Sequence, residues 1–277
     1  MWQAGVEPER TADADAAREL LDRDGVVILE TTRTDPAGSE AGARAVLGER
    51  LRMYRRPVHI GTNPDPEPAV PFFFDRATRT VNADGGKRGP LHVDGYLSYG
   101  TACPDVVFLL CARQAGTGGE SVVIDGTRLL DQLAGSPEQQ DLVDFLWTQD
   151  LEQSAPGGVR VVCPTVRRTP AGRITVLRHD DQRPIQDSPA DSPADSPADP
   201  RVAGMIARWH EITDAAVDAA PRFRLRPGDL LCLDNYRVLH CRDAYSGKDR
   251  LLHRIWSWTD AAHALPDPTA HEDLVTA

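Results

Sequence analysis

The sequence predicts a mainly β protein of the β-sandwich or jelly-roll class with flanking helices. Short runs of β-branched and other apolar residues recur along the chain, and turn residues separate most of them. Only a few stretches between these runs have a helical pattern. The length of 277 residues suits one large all-β unit, so we expect a single domain over residues 1–277.

A helix, a strand and a second helix are expected at the start of the chain. Residues 11–23 have the composition of a helix, with Thr11 as its N-cap and acidic residues in its first turn. Gly25 ends this helix, and the β-branched run at 26–30 predicts a strand. A second helix is predicted over 39–54. The basic residues on its solvated face are Arg50, Arg52, Arg55 and Arg56.

Strands dominate the rest of the chain. Prolines and glycine predict an irregular segment over 57–71, which leads to the aromatic triplet at 72–74. Two helices are predicted between the later strands, at 127–147 and 201–219. The predicted strands cover residues 106–113, 120–125, 159–164, 174–178, 229–234 and 249–258.

A low-complexity segment interrupts this pattern. Three tandem copies of Asp-Ser-Pro-Ala fill residues 187–198. The repeat has no large apolar side chain, so burial cannot offset the entropy that ordering it would cost. We therefore predict a flexible insertion at 187–200 within the domain, and not a domain boundary.

Charge and composition argue against several classes of function. The formal net charge of -11 disfavours a nucleic-acid-binding surface, which would show as a basic patch. No apolar run approaches the ~20 residues of a membrane-spanning helix, and the N-terminal residues lack a signal-peptide pattern. The five cysteines contain no CxxC pair and suggest no disulfide framework. We expect a reduced, cytoplasmic protein that binds a small molecule, in an oligomeric state that the sequence leaves open.

A His-x-Asp motif is the first sign of a metal site. His92 and Asp94 are two residues apart, so on a strand both side chains point to the same face. They can then offer an imidazole nitrogen and a carboxylate oxygen to one ion. Alone the motif is a weak signal, because surface pairs of this kind arise often by chance.

His240 is the third candidate ligand. It ends the segment 229–240, in which a polar turn follows an apolar, strand-like run. Two histidines and one carboxylate make up the facial triad of non-haem iron(II) oxygenases, which leaves coordination positions open for a keto acid and dioxygen. This donor set suits iron(II) better than structural zinc, which prefers four closed ligands and usually cysteine.

Two arginines near the C-terminus are candidate anion receptors. Arg250 and Arg254 are four residues apart, so on a strand they share a face with Leu252, Trp256 and Trp258. Inward-pointing guanidinium groups are costly unless each meets an anion. A guanidinium can bind a carboxylate through two hydrogen bonds, and 2-oxoglutarate carries such a group at its far end. The alternative is an exposed strand face with two solvated arginines.

Other residues near the motif have two interpretations. Tyr96 and Tyr99 can line a substrate pocket or pack in the core, and the phenylalanines at 72–74 can form an apolar wall. His253 alternates away from the arginine face, so we expect it to pack or form hydrogen bonds elsewhere.

Three segments give the chain a specific resemblance. They are HVDG at 92–95, PDVVFLLCARQAGTGGES at 104–121 and GDLLCLDNYRVLHCRDAYSGKDRLLHRIW at 228–256. Together they are similar to the taurine dioxygenase and clavaminate synthase-like superfamily of iron(II)- and 2-oxoglutarate-dependent oxygenases. Its members carry HxD, then Thr or Ser after a glycine pair, then a distant His, then Arg. In length and C-terminal block the chain also resembles the carbapenem synthases, whereas its middle differs from theirs.

The resemblance implies a cupin-like double-stranded β-helix (jelly roll) and a set of site residues. The implied iron ligands are His92, Asp94 and His240. Ser121 is the implied hydroxyl partner of the 2-oxoglutarate carboxylate, in place of the commoner Thr. Arg250 lies where the family grips 2-oxoglutarate, and Arg254 matches a second arginine that binds an anionic substrate group in several members. Arg254 follows the distal histidine at the commoner spacing, however, so the exchange of these two roles stays open.

The implied activity is that of an oxygenase that needs iron(II), 2-oxoglutarate and dioxygen. Asp94 argues against halogenation, because halogenases of the family have a small residue there, and favours hydroxylation, desaturation or cyclisation. Arg254 suggests a carboxylate-bearing substrate such as an amino acid derivative, and the resemblance suggests specialised metabolite biosynthesis. Two alternatives remain: a metal-dependent enzyme on the same fold that uses no 2-oxoglutarate, and a non-catalytic binding jelly roll.

Overall fold

In the computed structural model a ten-stranded β-sheet faces a two-stranded sheet, with helices on both outer sides, and three further two-stranded sheets lie within the described residues. The structure describes residues 2–62, 72–75, 79–83, 85–153, 159–185 and 199–277. The Asp-Ser-Pro-Ala repeat lies outside the described residues. The predicted insertion at 187–200 therefore stays a prediction, except that Asp199 and Pro200 already belong to the start of the next helix.

Six α-helices and eighteen strands lie within the described residues. The helices are α1 (Ala14–Asp24), α2 (Pro36–Leu47), α3 (Tyr96–Tyr99), α4 (Gly126–Ala134), α5 (Gln140–Thr148) and α6 (Pro200–Ala219). The strands are β1 (Glu9–Thr11), β2 (Val26–Glu30), β3 (Leu51–Arg55), β4 (Val58–Thr62), β5 (Phe72–Asp75), β6 (Thr80–Ala83), β7 (Val106–Arg113), β8 (Thr117–Gly118), β9 (Ser121–Asp125), β10 (Leu151–Glu152), β11 (Val162–Cys163), β12 (Val166–Arg168), β13 (Ile174–Val176), β14 (Asp229–Asp234), β15 (Val238–Arg242), β16 (Tyr245–Ser246), β17 (Leu251–Thr259) and β18 (Leu274–Thr276).

The larger sheet contains ten of the described strands, in the order β1-β2-β14-β7-β17-β4-β6-β5, with β3 paired to β17 and β18. At its centre β7 is antiparallel to both β14 and β17. Residues 106–112 of β7 are all buried, because core clusters cover both faces of the strand. This explains why the β7 sequence is continuously apolar and does not alternate with polar residues.

The smaller sheet provides the opposite wall of the interior. In it β9 is antiparallel to β15, with His240 opposite Val123. Residues opposite one another in an antiparallel pair lie on the same face, so His240 shares the face of Val123. Val123 belongs to one core cluster with Leu109 from β7 and Trp258 from β17. His240 therefore points into the interior between the two sheets.

Helices cover the outer face of each sheet. Leu21 of α1 and Val46 of α2 pack in one cluster with Phe108 of the larger sheet. Leu129 of α4 and Trp209 of α6 belong to the cluster outside the smaller sheet. The resulting order of layers is helices, large sheet, interior, small sheet and helices, which confirms the predicted jelly roll with flanking helices.

The first helix begins later than predicted. Asp13, and not Thr11, is the N-cap of α1: its carboxylate accepts hydrogen bonds from the backbone N–H groups of Asp15 (2.8 Å) and Ala16 (2.9 Å). Thr11 instead ends β1, which pairs with β2 in parallel. Aspartate and threonine are both good N-caps, and the strand pairing of Thr11 decides between them.

The second helix ends much earlier than predicted. It stops at Leu47, a single 3₁₀ turn follows, and β3 begins at Leu51, so the prediction of a helix to residue 54 was wrong. The arginines there do not form a solvated helix face. Their ion pairs are Arg50–Asp22 (2.9 Å), Arg52–Asp260 (3.3 Å) and Arg55–Asp273 (2.5 Å).

Other helix and strand boundaries also differ from the predicted ones. The predicted helix 127–147 is two helices, α4 and α5, because a Gly-Ser-Pro sequence at 135–137 interrupts it. Strand β4 lies in the segment expected to be irregular, and only Val162–Cys163 of the predicted strand 159–164 is paired. The five cysteines are free and buried. Within the described part of the chain, none of the helices is long and apolar enough to cross a membrane.

Truncation of a central side chain tests this layered packing. Phe108 is fully buried between the larger sheet and its helices. We expect Phe108→Ala to lower the free energy of unfolding by about 3–5 kcal/mol, since both apolar contacts and packing density are lost. Leu265→Ala, at a half-exposed position, should change it by less than about 0.5 kcal/mol. Urea denaturation measures both, and equal losses would contradict the packing.

Candidate metal centre

Three side chains converge on the inner side of the smaller sheet. One nitrogen each of His92 and His240 and one oxygen of Asp94 all lie within 4.8 Å of one another. The Nε2 atoms of the two histidines are 3.8 Å and 3.7 Å from the carboxylate oxygens of Asp94. Among the described residues this is the one group of three or more His, Cys, Asp or Glu side chains that close together.

A backbone bridge brings the motif to the distal histidine. His92 and His240 donate backbone N–H groups to each other's carbonyl oxygens, at 3.1 Å and 3.0 Å. His92 is therefore an isolated bridge partner beside β15, and the motif does not lie on a continuous strand. The chain turns directly after Asp94, at Gly95, whose φ of +76° lies in the left-handed region.

Asn235 fixes the backbone of Asp94. Its Oδ1 accepts the Asp94 backbone N–H at 2.8 Å, and its Nδ2 donates to the carbonyl oxygens of Asp94 (2.9 Å) and Pro104 (2.8 Å). Asn235 lies in the turn between β14 and β15, so the same turn that leads to the distal histidine positions the carboxylate. The sequence analysis missed this residue, because an asparagine between two apolar strands has the features of an ordinary turn residue.

The two imidazoles present their Nε2 atoms to Asp94. Burial, and then the neighbouring His92, lowers the pKa of His240 to about 3, so that imidazole is neutral. The Nδ1 of His92 lies 2.8 Å from the carbonyl oxygen of Pro90. A carbonyl only accepts, so this Nδ1 carries a proton, and Nε2 is the nitrogen of His92 that faces Asp94.

Asp94 has one engaged and one free oxygen. Burial acts to raise the pKa of this carboxyl, but Arg254 and then the two histidines outweigh it and hold the pKa below its usual value. The Oδ1 accepts a hydrogen bond from Arg254 at 2.7 Å, whereas Oδ2 is buried without a hydrogen-bond partner in the described part of the chain. A buried carboxylate oxygen beside two imidazole nitrogens fits a divalent cation with mixed nitrogen and oxygen ligands.

Arg254 lies next to the candidate metal ligands. Its guanidinium is 4.4 Å from the ring centre of Trp256 and is paired to Asp94, and its side chain is 11% exposed. Arg55 stacks against the same indole, at 5.0 Å. His253 faces the other way and forms hydrogen bonds there, as expected. The buried charge of Arg254 is therefore already compensated within the protein.

Arg250 is buried without such compensation. It is 5% exposed, and its Nε donates one hydrogen bond to the side-chain oxygen of Gln114 at 3.3 Å. Its guanidinium lies 5.2 Å from the ring centre of Tyr245. Among the described residues no carboxylate pairs with it, and burial lowers its pKa. A buried guanidinium with free N–H groups is the expected feature of an anion site.

Ser121 begins β9, two residues after the glycine pair at 118–119. It is buried, its backbone exchanges two hydrogen bonds with Phe223, and its hydroxyl has no partner among the described residues. Two residues earlier, Gly119 has a φ of +77°, and a Cβ there would lie 3.4 Å from the Nε of Arg250. The glycine pair thus lets the backbone turn closely beside Arg250.

The two tyrosines after the motif have different surroundings. Tyr96 packs in the cluster outside the smaller sheet, with its hydroxyl 3.0 Å from the sulfur of Cys163. Tyr99 belongs to the interior cluster, with its ring centre 5.8 Å from that of Trp256. Tyr99 therefore remains a candidate pocket residue and Tyr96 is a core residue. The side chains of the phenylalanines at 72–74 lie outside the described residues.

Comparison with known proteins gives one family. The model of the family described as "Taurine catabolism dioxygenase TauD, TfdA family" matches residues 4–256. Clavaminate synthase 2 of Streptomyces clavuligerus is 42% identical over 53 residues, which are 18% of this chain and 16% of that protein. The chain therefore matches only about one sixth of the length of this curated relative.

Solved structures share the fold over most of their length. Asparagine oxygenase, in complex with Fe(II), (2S,3S)-3-hydroxyasparagine and succinate, has a TM-score of 0.58 and 18% identity over 89% of this chain and 78% of that chain. PvcB from Pseudomonas aeruginosa has a TM-score of 0.55 and 18% identity over 88% and 79%. Another PvcB structure, of "an Fe, alpha-ketoglutarate dependent oxygenase from an isonitrile synthetic pathway", has a TM-score of 0.55 and 16% identity over 91% and 83%.

Loss of the Asn235 side chain tests how the centre is held. We expect Asn235→Ala to lower the free energy of unfolding by about 1–3 kcal/mol, because the Asp94 N–H and two carbonyl groups lose their buried partner. It should also weaken binding of Mn(II) or Co(II) by about tenfold or more, since the carboxylate is no longer oriented. Calorimetric titration measures the metal affinity.

Gln182→Ala is the matched control, because this buried amide bonds to Gln153 and Thr165 and not to the three metal-site residues. It should cost similar stability and leave metal affinity unchanged. Equal metal affinity in both variants would show that Asn235 does not orient the site.

Proposed function

The chain belongs to the taurine catabolism dioxygenase TauD, TfdA family, and on this basis we propose that it is an iron(II)- and 2-oxoglutarate-dependent oxygenase. One observation carries the proposal. Two imidazoles and a carboxylate converge within 4.8 Å, in the family's ligand order, and one buried oxygen of that carboxylate has no hydrogen-bond partner among the described residues. We also propose that residues 1–277 form one catalytic domain.

We propose that the iron ligands are the Nε2 atoms of His92 and His240 and the free oxygen of Asp94. Iron(II), when bound there, supplies the binding and activation of dioxygen at the positions that three protein ligands leave open. The protein's part is orientation. The backbone bridge sets the two imidazoles side by side, and the hydrogen bond from Arg254 engages Oδ1 of Asp94, so that Oδ2 would be the oxygen left for the metal.

We propose that Arg250, with Ser121, holds the far carboxylate of 2-oxoglutarate. Arg254 contacts a proposed iron ligand directly, and its charge is already paired. Arg250 lies four residues earlier in the chain, just before β17, and its buried charge has no carboxylate partner among the described residues. A co-substrate that reaches the metal through its keto-acid end places its other end away from the iron ligands. The observed pairing of Arg254 with Asp94 therefore favours Arg250, and not Arg254, as the residue that binds 2-oxoglutarate.

The proposed substrate is a small carboxylate-bearing molecule such as an amino acid derivative, acted on in specialised metabolism. Asparagine oxygenase with hydroxyasparagine and clavaminate synthase 2 support this class. The carboxylate at Asp94 supports hydroxylation, desaturation or cyclisation and not halogenation. A reduced, cytoplasmic location is part of the proposal and is supported by five free cysteines.

Anaerobic spectroscopy tests the proposed function. We expect the iron(II) protein to develop a visible charge-transfer band when 2-oxoglutarate is added, because the keto acid chelates the metal. With dioxygen and a substrate from an amino acid panel, it should form succinate and a product of changed mass. Asp94→Ala should abolish the band and succinate formation, since the site loses its only carboxylate ligand.

Asp260→Ala removes a surface carboxylate and should retain both signals. A protein that binds iron(II) without any 2-oxoglutarate-dependent band would instead be a metal enzyme of another type. Unchanged metal binding in Asp94→Ala would refute the proposed ligand set.

A further inference from the structure

We propose that Gln114 is a positioning residue that orients the guanidinium of Arg250 for the far carboxylate of 2-oxoglutarate. The inference rests on the proposed function and adds a residue that has no part in the metal site. Gln114 directly follows β7, and its side-chain oxygen is the one hydrogen-bond acceptor of Arg250 within the described part of the chain.

The amide of Gln114 is itself fixed in one orientation. Its Oε1 accepts the backbone N–H of Ala115 at 2.9 Å, and its Nε2 donates to the carbonyl oxygen of Leu225 at 3.2 Å. A flipped amide would place its NH₂ group against two donors, the Ala115 N–H and the Arg250 Nε–H. The acceptor that Arg250 meets is therefore set by the backbone of two separate segments.

The aromatic ring of Tyr245 restricts the same guanidinium from another direction. Its ring centre is 5.2 Å from the Arg250 guanidinium and 4.7 Å from that of Arg242. The tyrosine hydroxyl lies 2.9 Å from the hydroxyl oxygen of Thr62, which holds the ring in place. Gln114 accepts the Nε–H of Arg250, and the Tyr245 ring restricts the orientation of the guanidinium plane. The two terminal NH₂ groups of Arg250 therefore remain available to bind a carboxylate through two hydrogen bonds.

The lack of charge on Gln114 is as important as its geometry. A glutamate there would pair with Arg250 and compete with the co-substrate, as Asp94 does with Arg254. The neutral amide orients the guanidinium and leaves its positive charge for the ligand. Burial lowers the pKa of Arg250, and the nearby charges of Arg242 and Arg224 lower it further. A bound dianion therefore offsets the repulsion among these arginines as well as the desolvation of Arg250.

A pair of ligands isolates this role. 2-Oxopentanoate has the carbon skeleton and keto-acid end of 2-oxoglutarate but lacks the far carboxylate. Both are titrated into the anaerobic iron(II) protein, with dissociation constants read from the charge-transfer band. We expect Gln114→Leu to raise the dissociation constant for 2-oxoglutarate about tenfold, the worth of one charge-assisted hydrogen bond, and to leave that for 2-oxopentanoate within about twofold. Gln114→Glu should weaken 2-oxoglutarate further, because its charge neutralises Arg250.

Gln140→Leu is the matched control, since this exposed amide bonds only to Asp144 among the described residues. It should bind both ligands as the unchanged protein does. If Gln114→Leu keeps full preference for 2-oxoglutarate, or loses both ligands equally, Gln114 does not position Arg250. If the unchanged protein shows no band with 2-oxoglutarate, the proposed function fails and this inference fails with it.

Discussion

The pair of backbone hydrogen bonds between His92 and His240 is the constraint on which the rest of the site depends. It joins a turn outside the sheets to an inner strand, at 3.1 Å and 3.0 Å. Asp94 follows within two residues, and Asn235, from the turn that precedes the strand, holds its backbone. Main-chain contacts thus position the three proposed ligands, which come from two distant parts of the chain, and a rigid jelly roll supplies such contacts without large side-chain rearrangement.

Buried charge is distributed unevenly around this constraint. Arg254 is paired with Asp94 and flanked by an indole, so its charge is compensated before any ligand binds. Arg250 is also buried, and it contacts a neutral amide and an aromatic ring but pairs with no carboxylate among the described residues. Burying a guanidinium without an anion costs several kcal/mol. This unfavourable burial lies at the position where the carboxylate of the proposed co-substrate would compensate the charge. Binding of the co-substrate would therefore also stabilise the folded state.

The sequence was sufficient for features set by periodicity and residue chemistry. β14 matches the predicted strand at every position, and the possible ligand atoms of His92, Asp94 and His240 lie within 4.8 Å of one another. Helix ends were less predictable: the second helix ends at Leu47 because tertiary strand pairing of β3 overrides a local helical pattern. Asn235 and Gln114 were missed for a related reason. Their importance lies in which distant backbone groups they meet, and a single sequence carries no signal of that.

A crystal structure of the protein grown without oxygen, with Mn(II) and 2-oxoglutarate, tests the proposed metal and co-substrate sites directly. Manganese replaces iron as an anomalous scatterer that does not react. We expect one anomalous peak in contact with His92, Asp94 and His240, with the keto-acid end of 2-oxoglutarate on the metal and its far carboxylate on Arg250. A metal bound elsewhere, or a far carboxylate held by Arg254 after its pair with Asp94 has opened, would contradict this expectation.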